Sequence, residues 1–91
     1  MTEQTGRAHE FDEWRARIAR ARAQAQEAAR RLSVTAGAIA ATETEVARIH
    51  EEIARNGVSV TAESAAEHAR AARQFAESER QVQERWASWT P

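Results

Sequence analysis

An all-α fold, in the form of a long helical hairpin, is predicted by three features of this 91-residue chain. Apolar or small residues recur at alternating spacings of three and four from Phe11 to Ile53. Helix breakers are scarce, with one proline and three glycines. One stop-and-restart pattern, Arg55 to Glu63, divides the sequence into a long segment and a shorter one.

Residues 1–8 are polar and patternless, and are expected to form a flexible lead-in. The first helix is expected over 9–55. Its stripe reads Phe11, Trp14, Ile18, Ala21, Ala25 and Ala28, then Leu32, Thr35, Ile39, Thr42, Val46, Ile49 and Ile53. A heptad kept in phase over so many turns implies a coiled-coil helix, because only a 3.5-residue period holds one seam against a partner. At 1.5 Å per residue such a helix is roughly 70 Å long. The stretch LSVTAG, Leu32 to Gly37, holds poor helix formers. A break there, near 33–37, is the alternative and yields a three-helix bundle. The heptad crosses the stretch in phase, which favours a continuous helix.

The segment RNGVSVTAE reads as a turn over 56–61. Gly57 suits a left-handed helix end, with Val58 folding back on Ile53. Thr61 suits an N-cap. A second helix is expected over 62–88, so that 9–91 forms one hairpin domain with antiparallel helices. Its own stripe is less regular: Ala65, His68 or Ala69, Ala72, Phe75 or Ala76, Val82, Trp86 and Trp89. Folding at Val58 and Ser59 sets Trp86 and Trp89 opposite Arg31 and Ala28, and Phe75 opposite Thr42. Phe75, Val82, Trp86 and Trp89 are therefore expected to pack the hairpin, large residues filling space left by small ones.

The second helix is too short to cover the first, which leaves Phe11, Trp14 and Ile18 beyond its end. Uncovered apolar side chains at helical spacing mark an interface. The flanks of the stripe carry Arg15, Arg17, Arg22 and Arg31 early, and Glu43, Glu45 and Glu52 late. Antiparallel pairing of two copies would bring Arg15, Arg17 and Arg22 of one toward Glu52, Glu45 and Glu43 of the other. The expected assembly is an antiparallel dimeric helical bundle with its two-fold axis near Leu32. Its interface would hold Phe11, Trp14, Ile18, Leu32, Ile39, Val46 and Ile53.

No catalytic, cofactor or metal site is expected. Cysteine is absent, and His9, His50 and His68 show neither Glu-x-x-His nor His-x-x-x-His spacing. In the hairpin His50 and His68 could approach each other beside Glu51 and Glu67, but a metal site needs three or four converging ligands. The formal net charge of -1 supplies no field toward nucleic acid or an acidic membrane. Six arginines and one glutamate between Arg15 and Arg31 keep a nucleic-acid-associated regulator as the competing reading. All thirteen basic residues are arginine, which fits a GC-rich bacterial genome. The opening MTEQTGRAHE lacks a signal-peptide core, and the run Val34 to Ala41 is too short to cross a bilayer. A soluble cytoplasmic scaffold that binds itself, and through the rod another protein, is the expectation.

The expected turn reads Arg55-Asn56-Gly57 and the alternative break Thr35-Ala36-Gly37, both without tryptophan, and the chain contains no tyrosine. A cysteine-free dimerising hairpin resembles the substrates of type VII secretion in architecture. Their Trp-x-Gly turn and Tyr-x-x-x-Asp/Glu motif are both missing here, so no family is assigned.

Overall fold

A computed structural model describes the backbone of residues 2–91 and the side chains of residues 6–91. Two helices, α1 (Thr2–Asn56) and α2 (Ser59–Ala87), form a hairpin. The molecule measures 86 × 15 × 12 Å, with a radius of gyration of 24.0 Å. A closed domain of this length would have a radius near ~12 Å, so the hairpin is a rod.

Helix α1 starts at Thr2, seven residues before the expected start. Residues 2–8 extend a helix that is already nucleated, and each added residue gains a hydrogen bond without a new nucleus. Met1, also part of the expected flexible lead-in, lies outside the described residues.

The helix runs unbroken through 33–37, which overturns the three-helix alternative. The weak helix formers there serve the approach of α2. The Ser33 hydroxyl donates to the Gln83 carbonyl across the seam at 3.0 Å. A Cβ on Gly37 would lie 2.7 Å from Gln83 Nε2, so Gly37 makes room for the Gln83 side chain. Thr42 and Thr44 satisfy their hydroxyls by bonding back to the carbonyls of Ala38 (3.1 Å) and Ala40 (2.8 Å), as threonine commonly does inside a helix.

The seam between the helices is built of alanine. Ala29, Ala36, Ala40 and Ala47 of α1 meet Ala65, Ala69, Ala72 and Ala76 of α2, and these are the buried apolar residues among those described. Ser33 and Ala54 continue the α1 row as half-buried members. This row is the predicted stripe displaced by one residue: 29 for 28, 33 for 32, 36 for 35, 40 for 39, 47 for 46. One residue turns a helix by roughly 100°, so α2 packs on the face beside the large apolar stripe. The expected hairpin packing is corrected accordingly. Phe75 remains 48% exposed, and Val82, Trp86 and Trp89 are only half-buried. Alanine meets alanine because helices without longer side chains between them can come closest.

The connection is tighter than 56–61. The Gly57 N–H donates to the Ile53 carbonyl at 2.7 Å and the Ala62 N–H to the Val58 carbonyl at 2.8 Å. Between the two helices, only Gly57 and Val58 lie outside helical structure. Gly57 does not adopt a positive φ, contrary to the expected left-handed end. It is needed for close approach instead, since a Cβ there would sit 2.8 Å from the Ile53 carbonyl oxygen. Val58, extended at φ -71° and ψ 158°, is the N-cap and offers no capping side chain. Thr61 therefore lies inside the first turn, and Val58 is exposed rather than folded on Ile53.

Two substitutions test this arrangement by thermal unfolding followed by circular dichroism. Ala47 is 0% exposed, and Ala47→Leu should destabilise the hairpin by about 1–3 kcal/mol through overpacking. Val58→Asp adds a cap acceptor and a negative charge at the α2 N-terminus, and should stabilise by about 1 kcal/mol. An unchanged melting temperature in either variant would contradict the packing or the cap described.

Candidate interaction surface

The large apolar residues of α1 are left on the surface. Trp14 is 53% exposed and Leu32 45%; Phe11, Ile39, Ile49 and Ile53 are also exposed, while Ile18 and Val46 are half-buried. Heptad spacing places them on one face, and the one-residue offset from the alanine row keeps that face clear of α2. All seven expected interface residues thus share one stripe along α1, the half-buried two included.

Helix α2 reaches back along α1 only to about Ala25. Gln83 lies against Ser33 and Gly37, so Trp86 and Trp89 come level with the turn that holds Ala29. Their rings are 6.4 Å apart. The first part of α1, roughly 35 Å at 1.5 Å per residue, projects beyond the hairpin. It carries Phe11 and Trp14 with ring centroids 5.8 Å apart, and the Arg15 guanidinium lies 4.5 Å from the Phe11 ring centroid.

On the stripe side, two open concavities lie end to end between the C-terminal half of α1 and α2. The first, about 420 Å³, is lined by Glu43, Val46 and His50 of α1 and by His68, Ala71 and Phe75 of α2. The second, about 370 Å³, lies between His50 and Ile53 on one side and Val60, Ser64 and His68 on the other. The His50 and His68 rings, 5.1 Å apart, border both. Phe75 thus belongs to the wall of this groove. The sequence carried a signal for that role, since Ala72 and Ala76 fill the seam spacing and Phe75 precedes Ala76 by one residue.

The charges divide into engaged and free sets. Glu27 binds Arg30 at 2.6 Å and Arg31 at 3.4 Å. The Arg30 hydrogen bond, helped by its charge and that of Arg31, holds the Glu27 carboxyl below its usual range. Arg48 binds Glu45 at 2.8 Å, and that hydrogen bond raises the Arg48 pKa. Glu45, expected to pair across chains, therefore has a partner in its own helix. Among the described residues, Arg15, Arg17, Arg20 and Arg22 make no ion pair, nor do Glu43 and Glu52.

One ion pair joins the two helices among the described residues: Arg73 Nε donates to Glu51 Oε2 at 2.7 Å while the second guanidinium nitrogen binds Oε1. Arg80 also reaches Thr44 Oγ1 at 3.1 Å. The hydrogen bond from Arg73 is the largest influence on the Glu51 carboxyl and lowers its pKa; desolvation opposes it, and the charges of Arg73 and Arg55 add to the lowering. The histidine pair does approach as expected, with Glu51 already committed to Arg73. No group of three or more histidine, cysteine, aspartate or glutamate side chains that could hold a metal occurs among the described residues. No helix among them is long and apolar enough to cross a membrane.

No family model, curated protein or solved structure matches this chain.

The Glu51–Arg73 pair carries a pH dependence of defined sign. A carboxyl whose pKa is lowered on folding contributes stability above its ordinary value of 4.5. That contribution is lost as pH falls through the lowered value. Glu51→Gln should lower the melting temperature near neutral pH, and its deficit against the parent chain should shrink on acidification below about 4. Thermal melts between pH ~7 and ~3 check this; a deficit independent of pH would assign Glu51 no electrostatic role.

Proposed function

We propose that this chain is a non-catalytic protein–protein interaction and scaffolding module that acts as an antiparallel coiled-coil dimer. The observation that carries the reading is the division of α1 into two faces. The hairpin's own seam uses alanines, while Trp14, Leu32, Ile39, Ile49 and Ile53 remain exposed. Burying a leucine or isoleucine contributes about 1.5–3 kcal/mol, against about 0.8 for one methyl-sized group. The larger share of the apolar free energy therefore lies on the unoccupied stripe.

Orientation follows from charge. Arg15, Arg17 and Arg22 flank the early part of the stripe, and Glu43, Glu45 and Glu52 the late part. A parallel pair would oppose like charges, whereas an antiparallel pair brings opposite signs together. Such charges set partner and direction more than strength, so the competition of Arg48 for Glu45 does not remove the preference. An axis near Leu32 makes the contact isologous, the commonest way two identical chains meet. The resulting rod would space two copies of a bound protein, and the reading includes a bacterial cytoplasmic setting.

Arg15, Arg17, Arg20 and Arg22, which make no ion pair among the described residues, favour one second reading on the projecting part of α1, a nucleic-acid-associated regulator. A gel shift at low salt that fades as salt rises would support it; no shift would remove it.

Light scattering on a sizing column should give twice the 10.2 kDa chain mass. Leu32→Glu, which places two like charges near the axis, should convert the particle to a monomer. A monomeric parent chain, or a variant that stays dimeric and fully helical, would overturn the proposed pairing.

A further inference from the structure

We infer that the groove between the C-terminal half of α1 and α2 is the seat of the Phe11–Ile18 segment of a second copy of this chain. The inference rests on the dimer reading and extends it. Pairing along the stripe alone needs only the two α1 helices, whereas a seated segment makes α2 of each chain a second wall of the interface.

Length and level agree. Phe11 to Ile18 spans roughly 10 Å of helix, and the α1 wall from Glu43 to Ile53 roughly 15 Å. In an antiparallel pair with its axis at Leu32, Phe11 comes level with Ile53, Trp14 with His50 and Ile18 with Val46. The first of these levels is the second concavity. The last is the first concavity. Trp14 falls between them, over the histidine pair. The charge-derived axis and the position of the concavities are independent observations, and they select the same stretch of α1.

The walls match the occupant chemically. Val46, Ile53, Ala71 and Phe75 supply apolar surface for Phe11, Trp14 and Ile18, in the manner of an amphipathic helix laid into a groove. Glu43 lines the groove and makes no ion pair among the described residues. The incoming segment brings Arg15 and Arg17, also without ion pairs among the described residues. Phe75 supplies a further reason. It is the largest side chain in the middle of α2, points away from the alanine seam and stays 48% exposed. A seated Phe11–Ile18 segment covers it.

Ala71 provides the test, because it lines the groove and is exposed in the single hairpin. Glutamate there disturbs no packing within one chain. Ala41→Glu is the matching control, since Ala41 is exposed and lines neither concavity. Light scattering and circular dichroism are measured on the full chain and both variants at equal concentration. The expected result is a dimeric parent chain, a dimeric Ala41→Glu variant, and an Ala71→Glu variant that loses the dimer, with or without loss of helix. A helical, dimeric Ala71→Glu variant would overturn the groove while leaving the stripe dimer standing. Equal loss in both variants would overturn it as well, because the effect would not belong to the groove. A monomeric parent chain would overturn this inference and the dimer reading together.

Discussion

Alanine ends at its Cβ, and two helices that meet through alanines can approach until their backbones limit the contact. That close approach governs the rest of this molecule. It selects which face of α1 receives α2, places Gly37 where a Cβ would collide with Gln83 and brings the Ser33 hydroxyl within reach of the Gln83 carbonyl. It also explains a turn of only Gly57 and Val58, since helices lying close together leave little distance to bridge. The same contact is poor in buried area, because each alanine removes only a methyl from water. The hairpin is thus well defined in geometry while most of its large apolar side chains remain outside its core.

The two faces of α1 differ by one residue in phase and by much more in chemistry. The alanine face serves geometry, and the Ser33–Gln83 and Glu51–Arg73 contacts accompany it. The neighbouring face carries the large groups, and the acidic and basic flanks of that face are distributed unequally along the helix. A chain that needed only to fold as a monomer would gain by turning its large residues inward. Their placement on the adjacent face, with α2 ending far short of the α1 N-terminus, is the physical basis for reading the molecule as half of a larger bundle.

Much of the fold was legible because helices obey local rules. The heptad from Phe11 to Ile53, the scarcity of breakers and the signal at Arg55–Glu63 each reflect short-range geometry. The continuity of α1 through LSVTAG was legible from unbroken phase, although the reason for those residues was not. Ser33 and Gly37 are explained by Gln83, fifty and forty-six residues away. The cap was misread for a related reason. Thr61 is the better capping residue by type, yet an extended Val58 lets the Ala62 N–H reach its carbonyl, and the helix starts earlier. At the candidate surface, the apolar stripe was legible as a pattern and its exposure only at Phe11, Trp14 and Ile18, and Phe75 was assigned to the wrong face because Phe75 and Ala76 both fit a rough stripe.

The sequence by itself determined the class of fold, the number of helices, the hairpin and the uneven charge along α1, since each is carried by residues near one another in the chain. Only the tertiary structure decided which of two adjacent stripes α2 occupies. Both stripes have the same three-and-four spacing, so periodicity cannot separate them. The choice depends on how closely the two backbones can approach, and that distance exists only once both helices are in place.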